Sequence, residues 1–313
     1  MAAESRTAIV AAIVGNFLIA VTKLVASALS GSAAMFAEAI HSFVDTGNGG
    51  LLLLGIHLSG KPADDRYPFG RGQELYFWTF VVAILIFGLG GGISIYEGIK
   101  HVLHPAELED PTLNYVVLGI ATVVEGVAWF IALKGFLAVK GEGSMWRAIR
   151  GSKDPTTFAV LLEDTAALSG LVVAFLGVYA SHRLGIPELD GAASVVIGFI
   201  LAGIAAVLAA ETRSLLLGES AHSTVVEEVR RIAAGHSAVI EARRPLTMHM
   251  GPHDILVNLD LTFRQDLSAG EVARAVDEIE SSIQAAHPGI IRIFIEAEAI
   301  SGGTRREDGA PPG

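Results

Sequence analysis

Residues 33–58 read "AAMFAEAIHSFVDTGNGGLLLLGIHL", a stretch long and apolar enough to cross a bilayer as one helix. Three ionisable residues, Glu38, His41 and Asp45, interrupt it within eight positions. Because they are three and four positions apart, they would lie on one face of a helix. An ionisable group at membrane depth is costly unless it is paired, hydrated or turned towards a cavity. This face is therefore a candidate functional site.

Five further segments of similar character surround this one. Hydrophobic residues make up 51% of the 313-residue chain and charged residues only 18%, below the roughly one quarter that is usual in soluble proteins. The six segments are residues 7–29, 33–58, 73–99, 113–138, 156–181 and 190–213. The pattern predicts an α-helical membrane protein with a six-transmembrane-helix bundle, which forms a transmembrane domain over residues 1–213.

Lysine and arginine are shared unevenly between the connecting loops. One set of loops is basic and carries Lys61, Arg66, Arg71, Lys140, Arg147, Arg150 and Lys153. The opposite loops carry Lys100 and Arg183 beside several acids. Since basic loops stay in the cytoplasm, we expect both termini to be cytoplasmic, in a multi-pass protein of a bacterial inner membrane. The first apolar run has no small-residue cleavage site after it, so we interpret it as a membrane helix rather than a signal peptide.

The charge balance and the absence of cysteine exclude several classes of function. The formal net charge is −11. Nucleic acid is not an expected partner, because phosphate binding requires a basic face. The chain has no cysteine, which excludes disulfides, thiolate metal sites and cysteine nucleophiles.

A less apolar region follows the sixth segment. Its order of helix, strand, strand, helix and strand predicts a cytoplasmic α+β domain over residues 214–299 with helices on one face of a sheet. The stretch "VIEARRPLTMHM" is interpreted as one of these strands. In the second helix of this C-terminal region, Ser268 and Glu271 are spaced for a capping box. Residues 300–313 have too little apolar surface to pack and are predicted to be disordered.

The fifth apolar segment carries a second group of acids. Its sequence "FAVLLEDTAALSG" places Glu163 and Asp164 in the middle of a hydrophobic run. Together with His41 and Asp45, these residues would provide two donors from each of two helices, the number that a tetrahedral Zn²⁺ requires. Fe²⁺, Mn²⁺ and Co²⁺ are also chemically compatible with imidazole and carboxylate donors. Glu125, in the fourth segment, is interpreted as a structural carboxylate that bonds to a neighbouring helix.

Several motifs resemble one known family, the cation diffusion facilitators, which include zinc transporters. "GSAAMFAEAIHSFVD" resembles the family's second-helix signature, and "KPADDRYPFGRGQELY" is similar to the loop that follows it. "YEGIKHVLHP" and "LDGAASVVIGFIL" also have counterparts there, so the resemblance covers residues 7–297. It implies six helices, cytoplasmic termini, a C-terminal ferredoxin-like dimerisation and regulatory domain, and a homodimer.

The resemblance also implies a ligand set. His41 and Asp45 match the two metal ligands of the second helix, and Asp164 matches one of two ligands in the fifth helix. The other ligand is usually His or Asp, but this chain has Val160 there, as in a branch of the family with "LLED" in that helix. Glu163 is the substitute that we expect, although its side chain is about 100° around an ideal helix from that of Asp164.

Other donors remain open. A water molecule or Glu38 is an alternative fourth ligand, and Glu38 is equally compatible with a structural role. Peripheral metal sites of the family are not expected here. The loop after the second helix has Tyr67 and Arg71 where relatives often have His, which leaves Asp64 and Asp65.

The C-terminal domain likewise lacks the imidazoles that form zinc sites in several relatives. The nearest positions hold Asp260, Glu296 and Glu298. His249 and His253 flank a turn and are interpreted as surface histidines.

These observations predict a divalent metal transporter that exchanges cytoplasmic Zn²⁺ for protons, because metal and protons compete for the same donors. One alternative is a membrane scaffold or metal sensor that does not transport. A second is a di-iron carboxylate enzyme, since "EAIH" at 38–41 and "ESAH" at 219–222 are Glu-x-x-His motifs. The second of these lies outside the helical bundle, so we expect a transporter and not an enzyme.

Overall fold

The computed structural model describes residues 2–105, 110–139 and 144–298, with side chains described for 14–105, 110–138 and 144–297. The chain forms two compact units, the first ending at Leu217 and the second beginning at Gly218. The predicted disordered tail, residues 300–313, lies outside the described residues.

The first unit consists of helices in every described element. They are α1 (Ala2–Ser30), α2 (Ala33–Ser59), α3 (Gln73–Leu85), a π-helical segment (Ile86–Gly92), α4 (Ile93–Leu103), α5 (Thr112–Val139), α6 (Met145–Gly151), α7 (Pro155–Leu184) and α8 (Glu188–Leu216). α2 packs against α1, α3, α7 and α8, and α5 packs against α1 and α7. α2 and α7, which carry the candidate donors, are therefore neighbours.

Within the described residues, four helical stretches are long and apolar enough to cross a membrane. They are Gln73–Leu103, Thr112–Ala138, Pro155–Leu184 and Glu188–Leu216. Their outer faces expose large apolar side chains such as Val123 and Phe199, which suits contact with lipid. The prediction of a mostly helical membrane protein is confirmed. The count of six membrane spans, which also requires α1 and α2 to cross, stays a prediction.

The predicted third helix is interrupted by a π-helical segment. The interruption coincides with the glycine-rich sequence "IFGLGGG", where side chains give little support to regular α-helical geometry. The glycines of the π-helical segment, together with Gly98 of α4, allow this part of the chain to approach α8 with backbone against backbone. A Cβ at Gly98 would lie 2.8 Å from the carbonyl oxygen of Gly191, and one at Gly198 would lie 2.8 Å from that of Gly91.

Asp190 ties the beginning of α8 to the beginning of α2. Ser32 is the N-cap of α2, and its hydroxyl accepts a hydrogen bond from the Met35 amide. The same hydroxyl donates to Oδ1 of Asp190 at 2.7 Å, while the Ala33 amide donates to Oδ2. Asp190 is fully buried. The N-terminus of α2 is thus capped by a carboxylate from another helix, which satisfies backbone donors that helix ends leave free.

The start of α7 is defined by local sequence. Asp154 is its N-cap and accepts a hydrogen bond from the Thr156 amide, and Pro155 occupies the first turn, where its missing N–H costs nothing. The helix ends before Gly185, which adopts a left-handed conformation with φ of 67°. Before it lies α6, a seven-residue helix in a stretch that the sequence predicted as a loop.

The second unit is a small helix-and-sheet region. Its described elements are α9 (Ser223–Ala234), β1 (Val239–Ala242), β2 (Leu246–His249), β3 (Ile255–Phe263), α10 (Ala269–Ala286) and β4 (Ile290–Glu298). β3 is central: it pairs antiparallel with β1 and β2 along one edge and parallel with β4 along the other. The interpretation of residues 239–250 as one strand is wrong, since Arg243, Arg244 and Pro245 separate β1 from β2 and proline cannot donate to the ladder.

One face of the sheet packs on both helices. Alternate residues of β3 are buried, as expected for a strand with one covered face. The core combines Val257, Leu259, Leu261 and Phe263 of β3 with Val229 and Ala233 of α9 and Ala275, Ile279 and Ile283 of α10. The capping box of Ser268 and Glu271 is confirmed. The predicted combination of helices and a sheet is therefore present, with one more strand than predicted, while the assignment to the ferredoxin-like class stays a prediction.

Candidate metal centre

His41 and Asp45 form a close pair on the buried side of α2. Nε2 of His41 lies 3.4 Å from Oδ2 of Asp45, and the two side chains are 1% and 17% exposed. Neither ring nitrogen of His41 has a hydrogen-bond partner, and Oδ1 of Asp45 has none either. Buried polar atoms without partners are rare in native proteins. A pair of nitrogen and oxygen donors is thus held free of other bonds, as a cation would require.

Glu163 reaches the same region from α7. It is buried, and its Oε1 accepts a hydrogen bond of 3.2 Å from Nδ2 of Asn48 on α2. Glu163 also interacts electrostatically with Asp45. Asn48 is fully buried, and its Oδ1 has no partner. The carboxylate of Glu163 is therefore fixed between α7 and the donor face of α2.

Asp164 lies at the flank of α7 rather than on its buried face. The buried side of this part of the helix carries Ala159, Glu163, Ala166, Ala167 and Gly170. Val160, one turn before Asp164, is 40% exposed, and Asp164 is half-buried. Asp164 interacts electrostatically with Glu125 of α5 and with Asp45 of α2. Of the two acids, Glu163 is the one turned into the helix bundle, whereas Asp164 lies towards α5.

The donors do not form a closed cage. Among the residues that the structure describes, no three His, Asp or Glu side chains are gathered closely enough to hold a metal ion. The structure brings together His41 and Asp45, links Glu163 to α2 through Asn48, and leaves Asp164 at the edge. The assignment of His41, Asp45, Glu163 and Asp164 as ligands stays a prediction.

Glu38 has a cationic partner that the sequence did not reveal. Nζ of Lys23, on α1, lies 3.0 Å from Oε2 of Glu38 and 2.9 Å from Oγ of Ser42. Both charged side chains are fully buried. Gly170 of α7 faces this carboxylate so closely that a Cβ there would overlap Oε1 of Glu38. This arrangement favours the structural role for Glu38 over the role of a ligand. A lone lysine in the middle of the first apolar segment was the available signal.

Glu125 is closer to the candidate donors than its interpretation as a separate structural carboxylate implied. It is buried on α5, and it interacts electrostatically with Glu38, Asp45 and Asp164. The acids of three helices therefore share one region of the bundle. Mutual repulsion of these acids favours the uptake of cations, whether metal ions or protons.

In the loop after α2, the acidic residue Asp64 is bound by the basic residue Arg71. Nη2 of Arg71 donates to Oδ2 of Asp64 at 2.8 Å, and the amides of Arg66 and Tyr67 donate to Oδ1. The Arg71 hydrogen bond, followed by that from the Tyr67 amide, lowers the pKa of Asp64 from its ordinary value. Asp64 is thus occupied by the loop itself.

In the second unit, the acids at the family's zinc-site positions also contact other residues of the chain. Asp260 on β3 pairs with Arg243 at 2.8 Å and is the cross-strand neighbour of Glu296 on β4. The side chain of Glu298 lies outside the described residues. His253 is exposed, as predicted. His249 is not a surface histidine: it is 4% exposed and its Nδ1 lies 3.2 Å from the carbonyl oxygen of Gly251, because β2 turns it inwards.

The fold and the buried side chains together define a multi-pass membrane protein with acidic and imidazole groups between its helices. Comparison with known families agrees, since a profile of the cation efflux transmembrane domain matches residues 9–217. The chain belongs to the cation efflux family, the cation diffusion facilitators. This is a family of transporters and not of enzymes, which removes the di-iron enzyme as an alternative.

Named relatives lie in animals, plants and bacteria. The chain is 34% identical over 220 residues to the human mitochondrial proton-coupled zinc antiporter SLC30A9, an alignment that covers 69% of this chain and 39% of the relative. It is 30% identical over 240 residues to metal tolerance protein C4 of Arabidopsis thaliana, covering 75% and 52%. Magnetosome protein MamB of Magnetospira sp. (strain QH-2) is 24% identical over 281 residues, covering 88% and 91%. The chain thus spans about two fifths of the length of the zinc antiporter.

Proposed function

We propose that this protein transports divalent metal cations, with Zn²⁺ as substrate, out of the cytoplasm in exchange for protons. The observation that carries the proposal is the buried pair of His41 and Asp45, whose free donor atoms lie on the helix face next to Glu163. Membership of the cation efflux family and the relative named as a proton-coupled zinc antiporter support it.

Each donor has a distinct role in the proposed site. His41 supplies a neutral nitrogen, and Asp45 and Glu163 supply charged oxygens from two different helices. Asp164, at the edge of α7, completes the site when α5 and α7 move towards α2. A mixed nitrogen and oxygen shell suits Zn²⁺ and is also compatible with Fe²⁺, Mn²⁺ and Co²⁺.

Coupling to protons follows from competition for the same atoms. Imidazole and carboxylates bind a cation only when deprotonated, so metal binding releases protons and protonation releases metal. Exposure of the site first to one side of the membrane and then to the other would convert this competition into antiport. In this proposal α2 moves relative to α4 and α8, which contact each other closely at paired glycines.

The architecture that accompanies this function is part of the proposal. α1, α2, the α3–α4 stretch, α5, α7 and α8 form six membrane spans, with both termini in the cytoplasm. The second unit is a ferredoxin-like regulatory domain through which two copies form a homodimer. The basic loops around Lys61 and Arg147 support this orientation.

Transport into vesicles that contain a zinc-sensitive dye tests the proposal. A pH gradient should drive zinc uptake by the wild-type protein, and Asp45→Ala, Glu163→Ala and Asp164→Ala should each abolish it. Asp277→Ala, at an exposed acid on α10, is the matched control and should leave uptake unchanged. Retained uptake in all three site variants would remove the proposed site.

A metal-sensing scaffold is the second candidate. The apolar Val160 at a usual ligand position, and the absence of a closed three-donor cluster among the described residues, favour it. Such a protein would bind zinc through His41 and Asp45 but would move none across the membrane. The same vesicles separate the two functions, because a sensor shows saturable zinc binding without dye response.

A further inference from the structure

Asn48 lies on the donor face of α2. It follows His41 by seven positions and Asp45 by three, so the three side chains share one side of the helix. It is fully buried, in a helix that is otherwise rich in apolar and small residues around it. Its bond to Glu163 shows that this face is turned towards α7.

The orientation of the Asn48 amide is set by Glu163. When Glu163 is ionised, its carboxylate can only accept hydrogen bonds, so the NH₂ group of Asn48 is then the part that faces it. Nδ2 donates to Oε1 of Glu163 at 3.2 Å, and Oδ1 is left without a partner although it is buried. An amide that served only to join α2 to α7 would not need to keep its oxygen free.

Amide oxygen is a ligand for divalent cations, and it differs from carboxylate in carrying no charge. Asp45, Glu163 and Asp164 already provide more negative charge than one divalent cation neutralises. A further carboxylate would add repulsion between buried acids, whereas an amide adds a donor without charge. The position that Val160 leaves without a donor on α7 can therefore be supplied from α2.

We propose that Asn48 is a specificity-determining residue of the metal site: Oδ1 binds the transported cation, while Nδ2 positions Glu163 to bind the same ion. This inference rests on the proposed function and adds a residue to its site. It gives the site one imidazole and a majority of hard oxygen donors. Such a shell is less selective for Zn²⁺ over Mn²⁺ than one that contains a second imidazole.

Binding to the purified full-length protein tests this assignment. Equilibrium dialysis with Zn²⁺ or Mn²⁺ alone, followed by elemental analysis, gives a Kd for each ion. Asn48→Leu, of similar volume, should weaken Mn²⁺ binding by at least about 10- to 100-fold, the range found when only a residue that orients a metal ligand is lost. Asn48→His should keep zinc binding and raise the preference for Zn²⁺ over Mn²⁺ by about tenfold or more.

Asn114→Leu is the matched control, because Asn114 is also fully buried but lies on α5 near its beginning. It should leave both Kd values unchanged. Unaltered affinity and unaltered Zn²⁺/Mn²⁺ preference in Asn48→Leu would overturn the inference. If that variant does not fold, Asn48→His decides, since an unchanged preference there overturns the inference equally.

A His41→Ala variant distinguishes this result from failure of the proposed function. If wild-type protein binds the ions and His41→Ala does not, the site stands and the Asn48 variants alone decide its membership. If His41→Ala binds both ions as tightly as the wild type, the proposed function itself loses its site and Asn48 loses its role with it.

Discussion

The buried ion pair between Lys23 and Glu38 provides a quantitative test of the packing of α1 against α2. Replacing Lys23 by methionine keeps most of the apolar volume and removes the charge. Glu38, which is fully buried, then loses its cation at 3.0 Å, and Ser42 loses the donor at 2.9 Å. Nothing else among the described hydrogen bonds reaches Oε2 of Glu38.

The expected cost follows from the burial of both charges. Removing one partner of a buried pair destabilises proteins by about 3–5 kcal/mol, because the remaining charge is uncompensated. For a domain the size of the first unit, which ends at Leu217, each kcal/mol corresponds to a shift of about 2–4 °C. The midpoint of thermal unfolding should therefore fall by roughly 6–20 °C.

The double variant Lys23→Met with Glu38→Leu supplies the control. It removes both charges, and replacing a buried ion pair by apolar residues of similar volume is often close to neutral in stability, so most of the loss should be recovered. The assay is thermal unfolding of detergent-purified protein, read by the loss of monodisperse material after heating. A Lys23→Met variant that is as stable as the wild type, or a double variant that is no better than the single one, would refute the reasoning.

Three further predictions concern other parts of the chain. Gly98→Ala should destabilise the α4–α8 contact by about 1–3 kcal/mol in the same thermal assay, because the new Cβ would overlap backbone of α8. Gly119→Ala is the control, since a Cβ there lies in open space and should not lower stability in this way. Equal destabilisation by the two substitutions would contradict the close packing at Gly98. Ser268→Ala should remove the capping box and loosen α10, seen as faster amide exchange in its first turn, and unchanged exchange would contradict it. Because the pKa of Asp64 is lowered, its contact with Arg71 should be complete above the ordinary Asp pKa of about 3.9 and be lost only as pH falls through the lowered pKa. The rate of proteolysis of this loop should therefore be equal at pH 7 and pH 5. Faster cleavage at pH 5 would contradict the assigned contact.

The fold was predictable where hydrophobic pattern decides structure. The apolar segments become helices because membrane-length runs satisfy their backbone groups internally. The hydrophobic pattern does not predict where the backbone departs locally from regular α-helical geometry. The π-helical segment in "IFGLGGG" lies inside a continuous apolar run that predicts one regular helix, and α6 is too short for a periodic signal. The division of β1 from β2 was available from Pro245, but the alternating residues on either side concealed it.

The sequence predicted candidate donors on two helices, but it predicted their relative orientation on only one of them. Spacing alone places His41 and Asp45 on one face of α2, and they are close together. On α7 the adjacent acids Glu163 and Asp164 point about 100° apart, and only the packing of the helix shows that Glu163 is the buried one. The partner of Glu38 is Lys23, fifteen residues earlier, and no local rule connects residues on different helices.

The location of zinc in the protein tests the central claim most directly. Crystals grown with zinc and measured at the zinc absorption edge would give an anomalous difference peak wherever the ion binds. We expect one peak per chain between α2 and α7, bounded by His41, Asp45 and Glu163. Zinc bound elsewhere, with those three side chains free of density, would contradict a transport site at this position.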